Sequence, residues 1–174
     1  IILPEYMDRR VMEAACKARD EGIANIIVLG NSEEVKGNNS DLDFTNIKFI
    51  DPQTSDMTED LINKFVELRK AKGMTYEEGK KLLLTDYMYY ACMLVKDGKA
   101  DGVVSGACHS SANTIRPALQ IIKTAPDTKL VSAFFLMVVP NCEYGANGTF
   151  IFGDAGLEQN PDPEKLAAIA ATSA

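Results

Sequence analysis

The sequence has 174 residues, of which 46% are hydrophobic and 25% are charged, and its formal net charge is −7. This length accommodates one ordinary domain, or one domain and the beginning of a second, and the composition is typical of a folded globular protein. The acidic excess argues against sequence-independent binding to nucleic acid or to an anionic membrane surface, because such binding requires excess Lys and Arg. No apolar run reaches the roughly 18 residues of a membrane span. We therefore expect a soluble protein with no nucleic-acid and no membrane partner.

The four cysteines are far apart in sequence and form no CxxC pair. This spacing predicts neither a zinc site nor a dense disulfide framework, so we expect no metal and reduced thiols. No charged segment followed by a short apolar stretch and a cleavage site opens the sequence, which favours a cytoplasmic location. The cysteines are Cys16, Cys92, Cys108 and Cys142.

The first fifty residues alternate short apolar runs with helical patterns. Residues 1–3 form a short apolar run, residues 24–29 have the apolar character of a strand covered on both faces, and residues 47–50 are a further candidate strand. Between them, Val11, Met12 and Ala15 have helical spacing, and Ser32 is a candidate N-cap of a shorter helix. The order predicts βαβ units.

Three helices are predicted next. Thr58 is a candidate N-cap of a helix ending near Gly73, Thr75 and Glu78 match a capping box, and a third helix runs from Asp86 to Gly98. A buried strand at residues 103–106 and a helix at residues 114–123 follow.

The last third of the chain predicts two more strands and a helix. Residues 130–139 form a candidate fully buried central strand, and the turn at Asn147-Gly148 pairs residues 149–152 with it in antiparallel fashion. A final helix follows Pro163. The whole pattern predicts an α/β fold with a mostly parallel, mixed sheet between helices on both faces, in three layers α/β/α.

The segment from Gly106 to Pro117 lies between the predicted strand and a helix, where open α/β sheets place their ligands. Small residues allow close approach of a ligand, helix N-terminal amides and hydroxyl groups donate to phosphate oxygens, and Arg116 adds a bidentate charge. The other interpretation is that residues 110–114 only cap a helix whose first turn accepts Pro117, with Arg116 in solvent. Spacing alone leaves both interpretations open.

Residues 100–124, ADGVVSGACHSSANTIRPALQIIKT, closely resemble the motif of the phosphate acetyltransferase family at this place. Other segments that agree with the family in order are residues 3–5, 22–24, 28–31, 51–52, 67–70, 140–145 and 150–154. The collinear match runs the length of the chain and is far more specific than a single short motif.

The resemblance implies a two-domain enzyme of the isocitrate/isopropylmalate dehydrogenase-like kind, with the active site in the cleft between two α/β domains. Residues 1–124 would form an incomplete first domain and residues 125–174 the start of the second. The implied reaction transfers acetyl between coenzyme A and inorganic phosphate. The implied partners are therefore acetyl-CoA, phosphate and acetyl phosphate, with coenzyme A as substrate, no tightly bound cofactor, and a homodimer as the assembly.

The resemblance also implies roles for particular residues. Arg116 and Arg69 would be the catalytic arginines that hold the phosphate and neutralise developing charge. Ser110, Ser111, Asn113 and Thr114 would join Arg116 in binding phosphate. For Arg69, its charged neighbours at residues 67–72 offer another interpretation, a solvated helix face.

The family's C-terminal Ser-Arg-Gly segment and nearby Asp, thought to bind coenzyme A and take the thiol proton, have no counterpart in this sequence. The residues of the coenzyme A site are therefore unknown here. We expect the sequence to be an internal portion of the enzyme and to be inactive alone.

Three other functions are alternatives to this interpretation. A phosphate butyryltransferase would share the fold and the reaction with a longer acyl group. A nicotinamide-binding domain is disfavoured because no GxGxxG follows a predicted strand. The chain alone could also act as a non-catalytic phosphate-binding or assembly module.

Four further residues are weaker candidates. His109 next to Ser110 has no evident orienting partner, so a hydrogen-bonded structural histidine is the better interpretation. Cys108 and Cys142 could be reactive in a positively charged cleft, but buried free cysteines are expected. Asp154 could face a cleft or form a turn.

Overall fold

A computed structural model describes residues 1–126, 128 and 130–174. The chain divides into two compact units, Ile1–Lys123 and Thr124–Ala174. Asp127 and Lys129, which belong to the predicted second domain, lie outside the described residues. In the described part of the chain, no helix combines the length and the hydropathy that crossing a membrane requires.

The first unit is built on a parallel sheet of three short strands in the order β1, β2, β3. The strands are β1 (Ile2–Leu3), β2 (Ile27–Leu29) and β3 (Lys48–Ile50). The predicted parallel α/β arrangement is confirmed for this unit.

The prediction of a buried strand at residues 103–106 is wrong. Val103 makes one parallel bridge to Ile2, and Val104 is 60% exposed. The chain leaves the sheet edge here because Gly106 turns it with a φ of 117° and its N–H donates to the Glu5 side chain instead of to a strand.

Six α-helices connect and flank these strands. They are α1 (Arg9–Asp20), α2 (Ser32–Asn38), α3 (Thr58–Arg69), α4 (Tyr76–Thr85), α5 (Tyr87–Lys96) and α6 (Ser111–Ile121), with a 3₁₀ turn at Lys70–Lys72 after α3.

The helices form two apolar cores, because successive strand side chains point to opposite faces of the sheet. Ile2, Leu29 and Ile50 belong to a core shared with α3, α4, α5 and α6. Leu3 and Val28 belong to a second core with α1 and α2. Both faces of the parallel sheet are therefore covered by helices.

The ends of the helices show which local signals were sufficient. The capping box of Thr75 and Glu78 is confirmed at α4, and Gly73 ends the preceding 3₁₀ turn in the left-handed region with a φ of 77°. Thr58 and Ser32 are not N-caps but the first residues of their helices. Asn31 caps α2, and the Thr58 hydroxyl donates to the carbonyl oxygen of Pro52.

Helix α6 begins three residues earlier than the predicted start at Thr114. Ser110 is its N-cap, and Pro117 therefore lies beyond the first turn. Proline has no backbone N–H, so this position leaves the carbonyl of Asn113 without its usual helical partner.

The second unit contains a two-stranded antiparallel sheet and one helix. These are β4 (Phe134–Val138), β5 (Thr149–Gly153) and α7 (Pro163–Ser173). The predicted pairing is confirmed, and Asn147 and Gly148 both have positive φ at the turn. However, the prediction of one mixed sheet is wrong, because the described parallel and antiparallel strands lie in separate sheets.

Strand β4 was expected to be fully buried, and this expectation is also wrong. All five of its residues are exposed, and Phe135 is 59% exposed. Among the described residues, β5 is the strand that pairs with β4, and α7 packs against β5. The strand is apolar as predicted, but its side chains are exposed among the described residues.

Substituting Gly30 tests the packing at the end of β2. An added Cβ would lie 2.7 Å from Cγ of Tyr6, and the φ of 153° disfavours a larger residue. Gly30→Ala is therefore expected to lower the free energy of unfolding by about 2 kcal/mol or more, measured by urea denaturation.

Gly37→Ala is the matched control. Gly37 lies within α2 and has no atom within 4 Å of an added Cβ. This substitution should raise the stability by about 0.5–1 kcal/mol through helix propensity. Equal midpoints for the two variants would contradict the close contact at Gly30.

Candidate active site

The loop between Val103 and α6 is held by the carboxylate of Glu5. The backbone N–H groups of Gly106, Ala107 and Cys108 each donate to it at 2.9 Å, and that of His109 donates at 3.1 Å. The Glu5 side chain is only 1% exposed. An internal carboxylate thus occupies the anion-binding concavity that these successive amides form.

The electrostatics of Glu5 follow from this geometry. Burial raises the pKa of Glu5. The hydrogen bonds from the backbone N–H of Cys108, the His109 side chain and the backbone N–H of Ala107 lower it by more, so that the pKa is about 2. Hydrogen bonds to the charged form outweigh the desolvation of the carboxylate. Glu5 is therefore ionised across the physiological pH range.

Glu5 was missed as a site residue by the sequence reasoning. A usable signal existed, because Glu5 comes shortly after β1 and the loop comes shortly after Val103, the parallel neighbour of Ile2. Carboxyl ends of parallel strands meet at one edge of a sheet, so the two segments had to lie close together.

The expected phosphate site changes as a result. The amides of residues 106–109 donate to Glu5 and are not free for a ligand. Ser110 Oγ accepts the N–H of Asn113 at 3.2 Å, and the Thr114 hydroxyl donates to the Ser110 carbonyl at 3.2 Å. The capping interpretation therefore holds for Ser110 and Thr114, while Ser111 and Asn113 are exposed at the start of α6.

Arg69 and Arg116 come from different helices and act on the same side chain. Burial and the charge of Asp86 raise the pKa of Tyr89 on α5. The positive charges of Arg116 in α6 and of Arg69 at the end of α3 act in the opposite direction. Tyr89 is 6% exposed. The two predicted arginines thus lie on helices that both pack against α5.

Neither arginine is neutralised within the described part of the chain. No ion pair or hydrogen bond to Arg69 or Arg116 is found among residues 1–126, 128 and 130–174, and Nε of Arg69 is buried without a partner. Arg69 is half-buried, whereas its charged neighbours Glu67, Lys70 and Lys72 are exposed. Arg116 is exposed, as the capping interpretation expected, whereas the buried Nε of Arg69 lacks an acceptor that an anionic ligand would supply.

The other predicted phosphate-binding residues differ in how they relate to Arg116. Asn113 precedes Arg116 by three residues and shares its face of α6. Ser111 precedes it by five residues, which rotates its side chain by roughly 140° from Arg116. Asn113 therefore shares the Arg116 face of α6, whereas Ser111 lies on another face.

A groove of about 470 Å³ lies beside Arg69. Lys72 and Lys81 also line it, together with Glu78, whose carboxylate is engaged in the capping box of α4. The groove is therefore positively charged and suits an anionic ligand.

A second groove, of about 280 Å³, is lined by Glu5, Cys108 and His109 among others. The donor atoms of these three residues lie within 4.8 Å of one another, close enough to surround a metal ion. Both Glu5 oxygens already accept backbone N–H groups, so the chemistry of this set disfavours a metal.

The structure also decides the roles of weaker candidates. His109 has an orienting partner after all, since its Nδ1 lies 2.6 Å from Glu5 Oε1. Cys108 is exposed as a residue. Partial desolvation of its thiol and the adjacent Glu5 carboxylate raise the pKa of Cys108, which disfavours a reactive thiolate. Cys142 is half-buried. The expectation of buried thiols is wrong for Cys108 and Cys142.

Asp154 forms a turn, as one of its two interpretations predicted. Its φ is 42°, and Oδ1 accepts the N–H groups of Gly156, Leu157 and Glu158.

Acid titration tests the role of Glu5. Because its folded pKa is about 2, below the ordinary 4.5, the stabilisation is present above pH 4.5 and is lost as the pH falls towards 2. The shift corresponds to roughly 3 kcal/mol. The free energy of urea unfolding, measured from pH 7 to pH 3, should fall more steeply for the wild type than for Glu5→Gln.

Glu21→Gln, at an exposed position after α1, serves as the control and should keep the wild-type slope. A Glu5→Gln slope equal to that of the wild type would show that the loop does not depend on the charge of Glu5.

Comparison with known proteins identifies the family of this chain. A phosphate acetyltransferase of Acetivibrio thermocellus is 52% identical over 170 residues, which are 98% of this chain and 51% of the relative. One from Thermoanaerobacterium thermosaccharolyticum is 47% identical, over 100% of this chain and 53% of the relative. The chain spans about half the length of the curated relatives it matches.

Solved structures agree with the curated relatives. A phosphotransacetylase from Streptococcus pyogenes has a TM-score of 0.86 and 39% identity, and the match covers 98% of this chain and 50% of that one. A phosphotransacetylase from Staphylococcus aureus has a TM-score of 0.83 at 39% identity, over 97% of this chain and 49% of that one. The family described as phosphate acetyl/butaryl transferase matches residues 1–174, and the chain belongs to that family.

Proposed function

We propose that this chain supplies the phosphate-binding part of an acyltransferase that moves acetyl between coenzyme A and inorganic phosphate. The observation that carries the proposal is the pair Arg69 and Arg116, which lie on two helices packed against α5 and whose side chains are unpaired within the described residues. Planar guanidinium groups match phosphate oxygens in bidentate geometry. The relatives bearing the name phosphate acetyltransferase support acetyl over butyryl as the transferred group.

The reaction requires charge neutralisation more than covalent chemistry by the protein. In one direction the coenzyme A thiolate attacks the carbonyl carbon of acetyl phosphate, a C–S bond forms, and the C–O bond to phosphate breaks. The thiol proton leaves to a base, and the departing phosphate carries away the bonding electron pair. Arg69 and Arg116 hold that phosphate and offset its growing charge. None of the 174 residues is assigned as this base.

The groove beside Arg69 supports a second part of the proposal, that coenzyme A binds there. Lys72 and Lys81 add positive charge next to an arginine, and coenzyme A is a polyanion that enters as a substrate rather than as a tightly bound cofactor. A homodimeric assembly and a cytoplasmic location remain predictions from the resemblance and the sequence.

We also propose that residues 125–174 begin a second α/β domain of an isocitrate/isopropylmalate dehydrogenase-like enzyme. The support is β4, whose exposed Phe134, Phe135 and Leu136 form an apolar surface that a folded enzyme would cover. A crystal structure of the complete gene product should show protein packed on both faces of β4. A β4 open to solvent on both faces would contradict the proposal.

Arg116→Ala tests the function. Assayed in the complete gene product, it should lower the rate of acetyl transfer by at least ~10²-fold, the loss typical of removing one donor to a reacting oxyanion. Arg116→Lys should recover part of that loss, because it keeps the charge but not the bidentate geometry.

Lys17→Ala, at an exposed position in α1, is the control for removing a positive charge and should leave the rate unchanged. Unchanged turnover together with unchanged phosphate affinity in Arg116→Ala would refute the assignment.

A further inference from the structure

Tyr89 lies between the two helices that carry the arginines. Its ring packs against Phe65 of α3 with the ring centroids 5.8 Å apart, and its hydroxyl donates to Oε1 of Gln120 in α6 at 3.3 Å. Helix α5, which carries Tyr89, packs against both α3 and α6. One side chain therefore contacts both arginine-bearing helices.

The two contacts are in register with the arginines. Arg69 follows Phe65 by four residues on α3, and Arg116 precedes Gln120 by four residues on α6. Residues four apart share one face of a helix, so each arginine lies one turn from a contact made by Tyr89.

We infer that Tyr89 is a positioning residue, which sets the separation of Arg69 and Arg116 by packing on Phe65 and donating to Gln120. The inference rests on the proposed function, since it concerns how the same two arginines meet a phosphate. Tyr89 needs no contact with the reacting atoms for this role. A fixed separation matters because displacement of a binding group by about 1 Å can reduce a rate substantially.

Tyr89→Phe in the complete gene product is the first test. It keeps the ring against Phe65 and removes only the hydrogen bond to Gln120. We expect the KM for phosphate to rise about fivefold to tenfold, with a smaller change in kcat, as for loss of one neutral hydrogen bond.

Tyr90→Phe is a matched control on the same helix. The Tyr90 hydroxyl is also buried and bonds to the Thr58 hydroxyl at 3.0 Å, away from the contacts that Tyr89 makes. This variant should lose a similar amount of thermal stability but keep the wild-type KM for phosphate. The comparison separates positioning from general destabilisation.

Gln120→Met removes the acceptor from the other side of the same bond. If the bond sets the separation, the double variant with Tyr89→Phe should raise the KM for phosphate no more than either single variant. Independent, multiplying effects would contradict a shared role.

The result for Arg116→Ala distinguishes failure of this inference from failure of the proposed function. If Arg116→Ala loses phosphate affinity while Tyr89→Phe and Tyr90→Phe give equal KM values for phosphate, Tyr89 has only a structural role. If Arg116→Ala also keeps wild-type phosphate affinity, the proposed function itself is wrong.

Discussion

The buried ion formed by Glu5 and the amides of residues 106–109 is the interaction on which the site geometry depends. A carboxylate that is 1% exposed would be unstable without donors, and this one accepts four backbone N–H groups and lies 2.6 Å from His109 Nδ1. These hydrogen bonds hold residues 106–109 in a loop outside the sheet. They thereby fix where α6 begins and which way its residues face.

This arrangement divides the work between the loop and the helices. A loop of small residues before a helix usually suggests that its amides bind the ligand anion. Here those amides bind an anion from the same chain, so the loop is ordered without a ligand. In the proposed function the charge for an external phosphate comes from Arg69 and Arg116, and Nε of Arg69 is buried without an acceptor.

Local signals in the sequence predicted the elements well, whereas long-range contacts were not accessible to it. The capping box of Thr75 and Glu78 and the turn at Asn147-Gly148 depend on a few adjacent residues, and both were correct. Residues 103–106 were assigned to a strand because Val103 and Val104 are apolar. Their departure from the sheet depends on Glu5, about one hundred residues earlier.

The site shows the same limit. Arg116 and Arg69 came from the family resemblance, and the position of their helices depends on the packing of α5 against both, which no spacing encodes. The exposure of β4 is different in kind. Its apolar sequence predicts burial correctly for a strand with neighbours, but the described residues pair it with β5 alone.

The most direct measurement is a crystal structure of the complete gene product with bound phosphate. The account predicts phosphate between the guanidinium groups of Arg69 and Arg116, with the Glu5 carboxylate still accepting the amides of residues 106–109. Phosphate bound to those amides with Glu5 displaced, or phosphate remote from both arginines, would contradict it.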